Sequence, residues 1–417
     1  MSQSASRPAP LGRNALILLI SAGIILSICM GLRQSLGLFL KPMNVDIGVS
    51  ASAFGFAMAL QNIVWGISQP FVGVLADRYG AKPVVFVSAG IYVVGLVVMA
   101  VGGTLGLNVG GGVLIGLGVA GSGFGVLLGA VAQAVPPARR SQTIGMVSGV
   151  GSLATLVLAP LGQALIDLYG WQNALLVFAG IAALMALFAA GMGRHSPKAA
   201  AAAGADAVRP VAEVLAAAGR HRGFVAMAIA FFACGFQLIF IVVHLPTYLA
   251  LCGIPPAASA TALGLIGLGN AAGSYVIGLL GARFSQKKLL ALIYLLRTVT
   301  IGIYLALPVS IPSTLIFAAT MGFLWLSVTP LVSGLIGRLF GLGNFNLLYG
   351  VMFFSHQVGS FLGAWAGGLV YDLTGVYDIA WASMIVIGLS AFALQWFMDD
   401  RSEAEKTALD LSPVPAR

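Results

Sequence analysis

The sequence predicts an all-α membrane protein of twelve transmembrane helices in two pseudo-symmetric six-helix bundles. Three observations carry this. Of the 417 residues 59% are hydrophobic and only 8% charged, against about 25% charged in a soluble domain. The apolar stretches reach the roughly 20 residues a helical span needs, and none of the 12 acidic residues lies near the middle of one. The second half of the chain also repeats landmarks of the first at an offset of 205 residues.

Spans are expected near 15–40, 52–76, 83–101, 108–131, 142–166 and 172–192, then 223–250, 258–281, 288–308, 312–337, 347–370 and 379–398. They are continuously apolar, without the period-two alternation of a β-barrel. The first is longer than the apolar region of a secretory signal, and no small-residue cleavage site follows it, so it reads as helix 1. Span 4 is glycine-rich from Gly110 to Gly129, a spacing that lets membrane helices approach closely. Residues 1–192 form the first bundle and 223–400 the second. The Ala-rich, basic segment 193–222 joins them, and 401–417 is a tail.

A net charge of +9 could suggest nucleic acid, but its distribution excludes that partner. Of the 21 lysines and arginines, all but three fall in tails and loops on one side of the predicted membrane. Lys41 lies on the other side, and Arg33 and Arg297 lie inside spans. The positive-inside rule then puts both termini and the 193–222 linker in the cytoplasm, and the bilayer is the expected surrounding. The three cysteines show no paired spacing, so no disulfide framework, metal cluster or cofactor is implied.

The segment Gly73-Val-Leu-Ala-Asp77-Arg78-Tyr79-Gly80-Ala81-Lys82 between spans 2 and 3 returns as Gly278 to Lys287 between spans 8 and 9. Gly145 and Gly350 are also 205 apart, as are Asp167-Leu-Tyr-Gly170 and Asp372-Leu-Thr-Gly375. The 73–82 segment resembles the cytoplasmic signature of the major facilitator superfamily, with Ala81 in place of a usual basic residue. The resemblance implies two bundles that rock about a site near the midplane. It makes Gly73, Asp77, Arg78, Gly80 and Lys82 a conformational latch, Asp77 facing a helix N-terminus or a cation.

Within the superfamily the chain is similar to the monocarboxylate transporter and oxalate/formate antiporter branch. The carrying residues are Arg33-Gln34-Ser35-Leu36-Gly37-Leu38-Phe39-Leu40-Lys41-Pro42, Trp325-Leu326-Ser327, and Tyr349-Gly350 followed by His356. The branch's carboxylate-binding arginine of span 8 would fall at Ser274, four residues after Asn270, and its span 11 lysine at His356. The branch implies an anion; these departures leave it to Arg33, or point to a neutral or zwitterionic cargo.

An ionised side chain at membrane depth costs several kcal/mol without a partner or a task. Buried cations without buried anions suit a negatively charged guest. Arg33 offers a planar fork that matches a carboxylate; snorkelling to the outer headgroups is its alternative. His356 can donate to an anion or take a proton, or be a packing histidine. Arg297 either contacts substrate or bonds carbonyls of neighbouring spans. Gln34, Gln61, Gln237, His244, Asn270, Ser274 and Trp325 complete the candidate lining of a polar cavity.

These residues predict a monomeric secondary transporter of the cell membrane, a bacterial inner membrane, moving a small organic anion, a monocarboxylate. Coupling would be by proton symport or by anion exchange. Export of hydrophobic drugs is the alternative, although such cargo calls for a buried carboxylate. A membrane enzyme or sensor is the least favoured class, since the chain has no Gly-x-Ser-x-Gly, His-Glu-x-x-His or Walker sequence.

Overall fold

The structure, a computed structural model, describes residues 13–135, 137–192, 211–325, 327–340 and 345–401. Among the described residues every regular element is helical. Lipid offers no partner to backbone N–H and C=O groups, so a continuous apolar stretch takes the form that pairs them internally. Nine of the described helical stretches are long and apolar enough to cross a bilayer. One of them, Thr143–Met192, is divided at Gly170, whose φ of 78° and ψ of 164° are not helical, and so makes two crossings. Ala51–Tyr79 and Phe345–Thr374, with 29 and 30 residues, also exceed the required length.

The described helices line up with the twelve spans the sequence predicts. They are α1 (Arg13–Ile47), α2 (Ala51–Tyr79), α3 (Ala81–Val101), α4 (Gly103–Val131), α5 and α6 (before and after Gly170 in Thr143–Met192), α7 (Arg222–Leu251), α8 (Pro256–Gly281), α9 (Gln286–Ala306), α10 (Ile311–Phe340), α11 (Phe345–Thr374) and α12 (Asp378–Phe397). A short helix, Val211–Arg220, precedes α7 and packs on α7 and α11. The rest of the expected linker, 193–210, and most of the expected tail, 402–417, lie outside the described residues.

The duplication is visible in the turns. Gly48 and Gly253 have φ of 67° and 76°, and Gly170 and Gly375 have φ of 78° and 72°. Each pair is 205 residues apart. These are left-handed conformations open to glycine without a Cβ penalty. These turns lie at the end of the molecule that the charge distribution assigns to the outside, the outer end.

The halves are joined by α2 against α11 and by α5 against α8. At the outer end they approach to backbone contact. A Cβ on Gly37 of α1 would collide with the Val242 carbonyl of α7, and one on Gly368 of α11 with the Ala51 carbonyl of α2. Asp372, at the outer end of α11, accepts from Ala51 N (3.1 Å) and Ser52 N (2.8 Å) in the first turn of α2. At the inner end, a Cβ added to Gly73, Gly145, Gly278 or Gly350 would meet nothing within 4 Å. The halves are closed on each other at the outer end.

Candidate functional site

Arg33 stands in the last turn of α1 before the chain tightens into a 3-10 stretch, Leu36–Phe39. Its guanidinium lies over the Trp65 ring, 4.9 Å from the centroid. Nη2 donates to Oδ1 of Asn62, and Nε has no hydrogen-bond partner. Asn62 and Trp65 are three residues apart on α2 and so share a face. Asn62 Nδ2 returns to the Met58 carbonyl of its own helix (2.8 Å), and Gln61 Nε2 donates to the Gly111 carbonyl of α4 (2.8 Å). Arg33 is only 9% exposed. It borders a cavity of about 10 Å³ with Leu36, Met58, Asn62, Ile239 and Val242, about enough for one water.

The polar contacts continue into the second half. Gln357 of α11 donates Nε2 to the Asn62 carbonyl (2.9 Å), and its Oε1 faces His356 Nδ1 at 3.1 Å. That pairing places the imidazole proton on Nδ1 and leaves Nε2 without a hydrogen-bond partner. The His356 ring lies 5.0 Å from Phe231 and stacks on Phe353 at 6.3 Å. Cys234 of α7 interacts with His356 and accepts from Arg297 Nη1 at 3.1 Å. One buried chain thus runs from Arg33 through Asn62, Gln357, His356 and Cys234 to Arg297.

Arg297 and Arg33 look alike in the sequence and differ in the fold. Arg297 is fully buried. Nε donates to the Leu324 carbonyl at 3.0 Å, and Nη2 to the carbonyls of Leu324 and Trp325. There α10 is interrupted: Ile311–Leu324 ends, and helix resumes at Val328. The last carbonyls of a helix lack internal partners and carry partial negative charge, and Arg297 supplies both donors and charge. α4 is broken at the related place, where Ile115–Ser122 stops and Phe124–Ala134 begins across an extended Gly123. Ser122 and Ser327, at the two breaks, are 205 apart, and Ser122 Oγ is buried without a partner. Discontinuous helices in corresponding positions of two halves mark the binding region of many transporters.

The other candidates divide. His244 uses both ring nitrogens, on the Ala364 carbonyl (2.6 Å) and the Tyr377 hydroxyl (3.2 Å), and fastens α7 to α11. Gln237 donates to the Met384 carbonyl of α12 (3.0 Å). Ser274 Oγ donates to Asn270 Oδ1 on α8 (3.3 Å). This pair is the repeat counterpart of Trp65 and Gln69, which are also bonded (2.8 Å). Gln34 is half-buried and, one residue on, does not share the face of Arg33. Trp325 is buried and contributes its carbonyl to Arg297.

In the latch segment, Gly80 makes the turn between α2 and α3 with φ of 88°, and its N–H bonds the Ala76 carbonyl at 2.8 Å. Arg78 lies over the Tyr79 ring at 5.4 Å. Lys82 is exposed in the first turn of α3, and Gly73 borders open space. The Asp77 side chain lies outside the described residues. In the second copy, Lys287 donates to the Met398 carbonyl (2.8 Å) and pairs with Asp400 (3.5 Å).

Trp65, Gln357 and Cys234 escaped the sequence reading as site residues. The available signals were slight: Trp65 one turn from Asn62, and Cys29 and Cys234 separated by the repeat offset of 205. Both cysteines end beside an arginine, Cys29 one turn before Arg33 on α1 and Cys234 against Arg297 of α9.

The described helices form two related halves, closed on each other at one end around a buried polar chain. A model of the Major Facilitator Superfamily matches residues 20–327 and 252–413. The chain belongs to that superfamily and is a multi-pass membrane protein. Among curated proteins it is similar to "Monocarboxylate transporter 11" of Mus musculus, 33% identical over 156 residues, which are 36% of this chain and 34% of that one. The chain thus spans about a third of that relative's length. It is 26% identical over 404 residues to the MFS-type transporter YcxA of Bacillus subtilis, covering 89% of this chain and 93% of the relative. "Monocarboxylate transporter 13" of Rattus norvegicus is 26% identical over 377 residues, covering 89% and 85%.

Proposed function

We propose that the protein is a secondary transporter that carries a small monocarboxylate across a bacterial inner membrane by alternating access, through proton symport or anion exchange. The observation that carries the reading is Arg33. It is a buried cation with no acidic partner among the described residues, an unpartnered Nε and an amide oxygen as its acceptor. A carboxylate would supply the missing charge. Apolar Leu36, Met58, Ile239 and Val242 around it suit a short alkyl body. Arg297, whose donors are taken by carbonyls and by the Cys234 sulfur, is a structural cap in this scheme, and His356 is the candidate proton carrier. Drug export is disfavoured because the described acidic residues sit at helix ends or in loops.

The protein works as a monomer with both termini in the cytoplasm; reporter fusions after Lys198 and Arg401 test the orientation, and an outside signal from either would reverse it. Uptake of radiolabelled monocarboxylates into proteoliposomes tests the cargo. Arg33→Gln should weaken binding by about 2–4 kcal/mol if the contact is a desolvated charge pair. Binding and uptake equal to those of the native protein would overturn the anion site.

A further inference from the structure

The monocarboxylate reading makes Arg33 the anchor; the geometry around it assigns a role to Asn62. We infer that Asn62 is a built-in competitor for the anchor. Its side-chain oxygen holds Arg33 as one substrate oxygen would, and a ligand must displace it to bind.

The first support is the shape of the guanidinium edge. Nε and Nη2 point the same way and form one side of the arginine fork. Asn62 Oδ1 takes Nη2, and Nε is left buried without a partner. A single amide oxygen satisfies half of an edge that a carboxylate, with two oxygens, satisfies in full. The second support is space. Asn62 is 1% exposed and the cavity beside it measures about 10 Å³. A carboxylate therefore reaches this edge only when the Asn62 side chain rotates away.

The rotation is inexpensive for Asn62 and harmless to Arg33. Asn62 Nδ2 bonds the Met58 carbonyl (2.8 Å), which the backbone of the helix also serves. Arg33 stays in place because Trp65 holds its face at 4.9 Å. The backbone carbonyl of Asn62, held by Gln357 at 2.9 Å, need not move.

Competition of this kind selects by acceptor strength. Arg33 is ionised whichever acceptor it meets, so the difference lies in the acceptor: a carboxylate adds an opposite charge and a second oxygen that makes the pair bidentate. A carboxylate gains on exchange with the Asn62 amide; an amide or alcohol of the same size does not. Asn62 therefore sets both the affinity and the preference for an anion over its neutral isostere, and the apolar walls set the preference for a single carboxylate with a small alkyl body.

The test uses the full-length protein in detergent, with propionate, pyruvate and propionamide as probes, read by calorimetry and thermal melting. Asn62→Ala removes the competitor: propionate or pyruvate should bind about tenfold more tightly, and discrimination against propionamide should narrow. Asn62→Asp makes the competitor permanent: anion binding should fall at least about tenfold, and the probe-free protein should melt higher. Asn62→Ser replaces the alanine variant if that is not recovered folded. If Arg33→Gln abolishes anion binding but Asn62→Ala leaves it unchanged or weaker, or Asn62→Asp binds like the native protein, the competitor is refuted while the anchor stands. If Arg33→Gln binds as the native protein does, or neither the native protein nor Asn62→Ala binds an anion, the anchor itself falls and the competitor with it. Binding that appears only in Asn62→Ala supports the inference.

Discussion

Asp372→Asn should open the outer end of the transporter more often. In the structure the Asp372 carboxylate takes the N–H groups of Ala51 (3.1 Å) and Ser52 (2.8 Å) at the N-terminus of α2, in the opposite half. Asparagine keeps one acceptor oxygen and loses the charge. An exposed anion at a helix N-terminus contributes about 0.3–1 kcal/mol, and loss of a capping acceptor costs typically about 1 kcal/mol. Asp372 is exposed, so solvent screening keeps the total near 1 kcal/mol, roughly a fivefold shift between states. With an outward-open population that is small to begin with, its signal should rise about fivefold. A cysteine at Ile239, beside the Arg33 cavity, reports this by its maleimide labelling rate from outside, with the exposed Cys252 replaced by serine. Asp167→Asn is the control: Asp167 is the repeat counterpart of Asp372 but bonds Gln163 of its own helix (2.8 Å), and its variant should label at the parent rate. An unchanged or slower rate in Asp372→Asn would refute a role for the Asp372 cap in outer closure.

Arg297→Met should destabilise the fold rather than the binding step, because it strands the Leu324 and Trp325 carbonyls. Each buried unsatisfied group costs about 1–3 kcal/mol, so a clear drop in detergent melting temperature is expected. Unaltered melting with a raised KM would instead make Arg297 a substrate ligand. Gly37→Ala places a methyl against the Val242 carbonyl and should disfavour the outer-closed state, again read as faster labelling at Ile239→Cys. A crossing between α1 and α7 that tolerates the methyl without change in rate would show that the close approach is not needed for closure.

The fold was legible because the physics behind it is local. A backbone in lipid must satisfy its own hydrogen bonds, so the length and apolarity of Ala81–Val101 or Gln286–Ala306 are enough to make each a spanning helix. The duplication was legible for the same reason: Gly170 and Gly375 are turn glycines whatever packs around them. The two arginines were legible as costly residues that need a reason, because burial of charge is expensive wherever it occurs.

Their reasons were not legible. Arg33 meets an asparagine 29 residues away and a tryptophan on the same face, whereas Arg297 meets carbonyls 27 and 28 residues away at a break in α10. The two environments differ because one helix is continuous where the other is interrupted. Nor could the sequence foretell that Gln357 would reach across 295 residues to the Asn62 carbonyl, or that Asp372 would cap a helix of the other half. The sequence by itself determined the helices, the repeat and the presence of buried cations, since each follows from a residue's own cost in lipid. Tertiary packing alone decided which cation is tied to the frame and which keeps an unsatisfied donor, since that depends on what distant helices place within about 3 Å, the reach of a hydrogen bond.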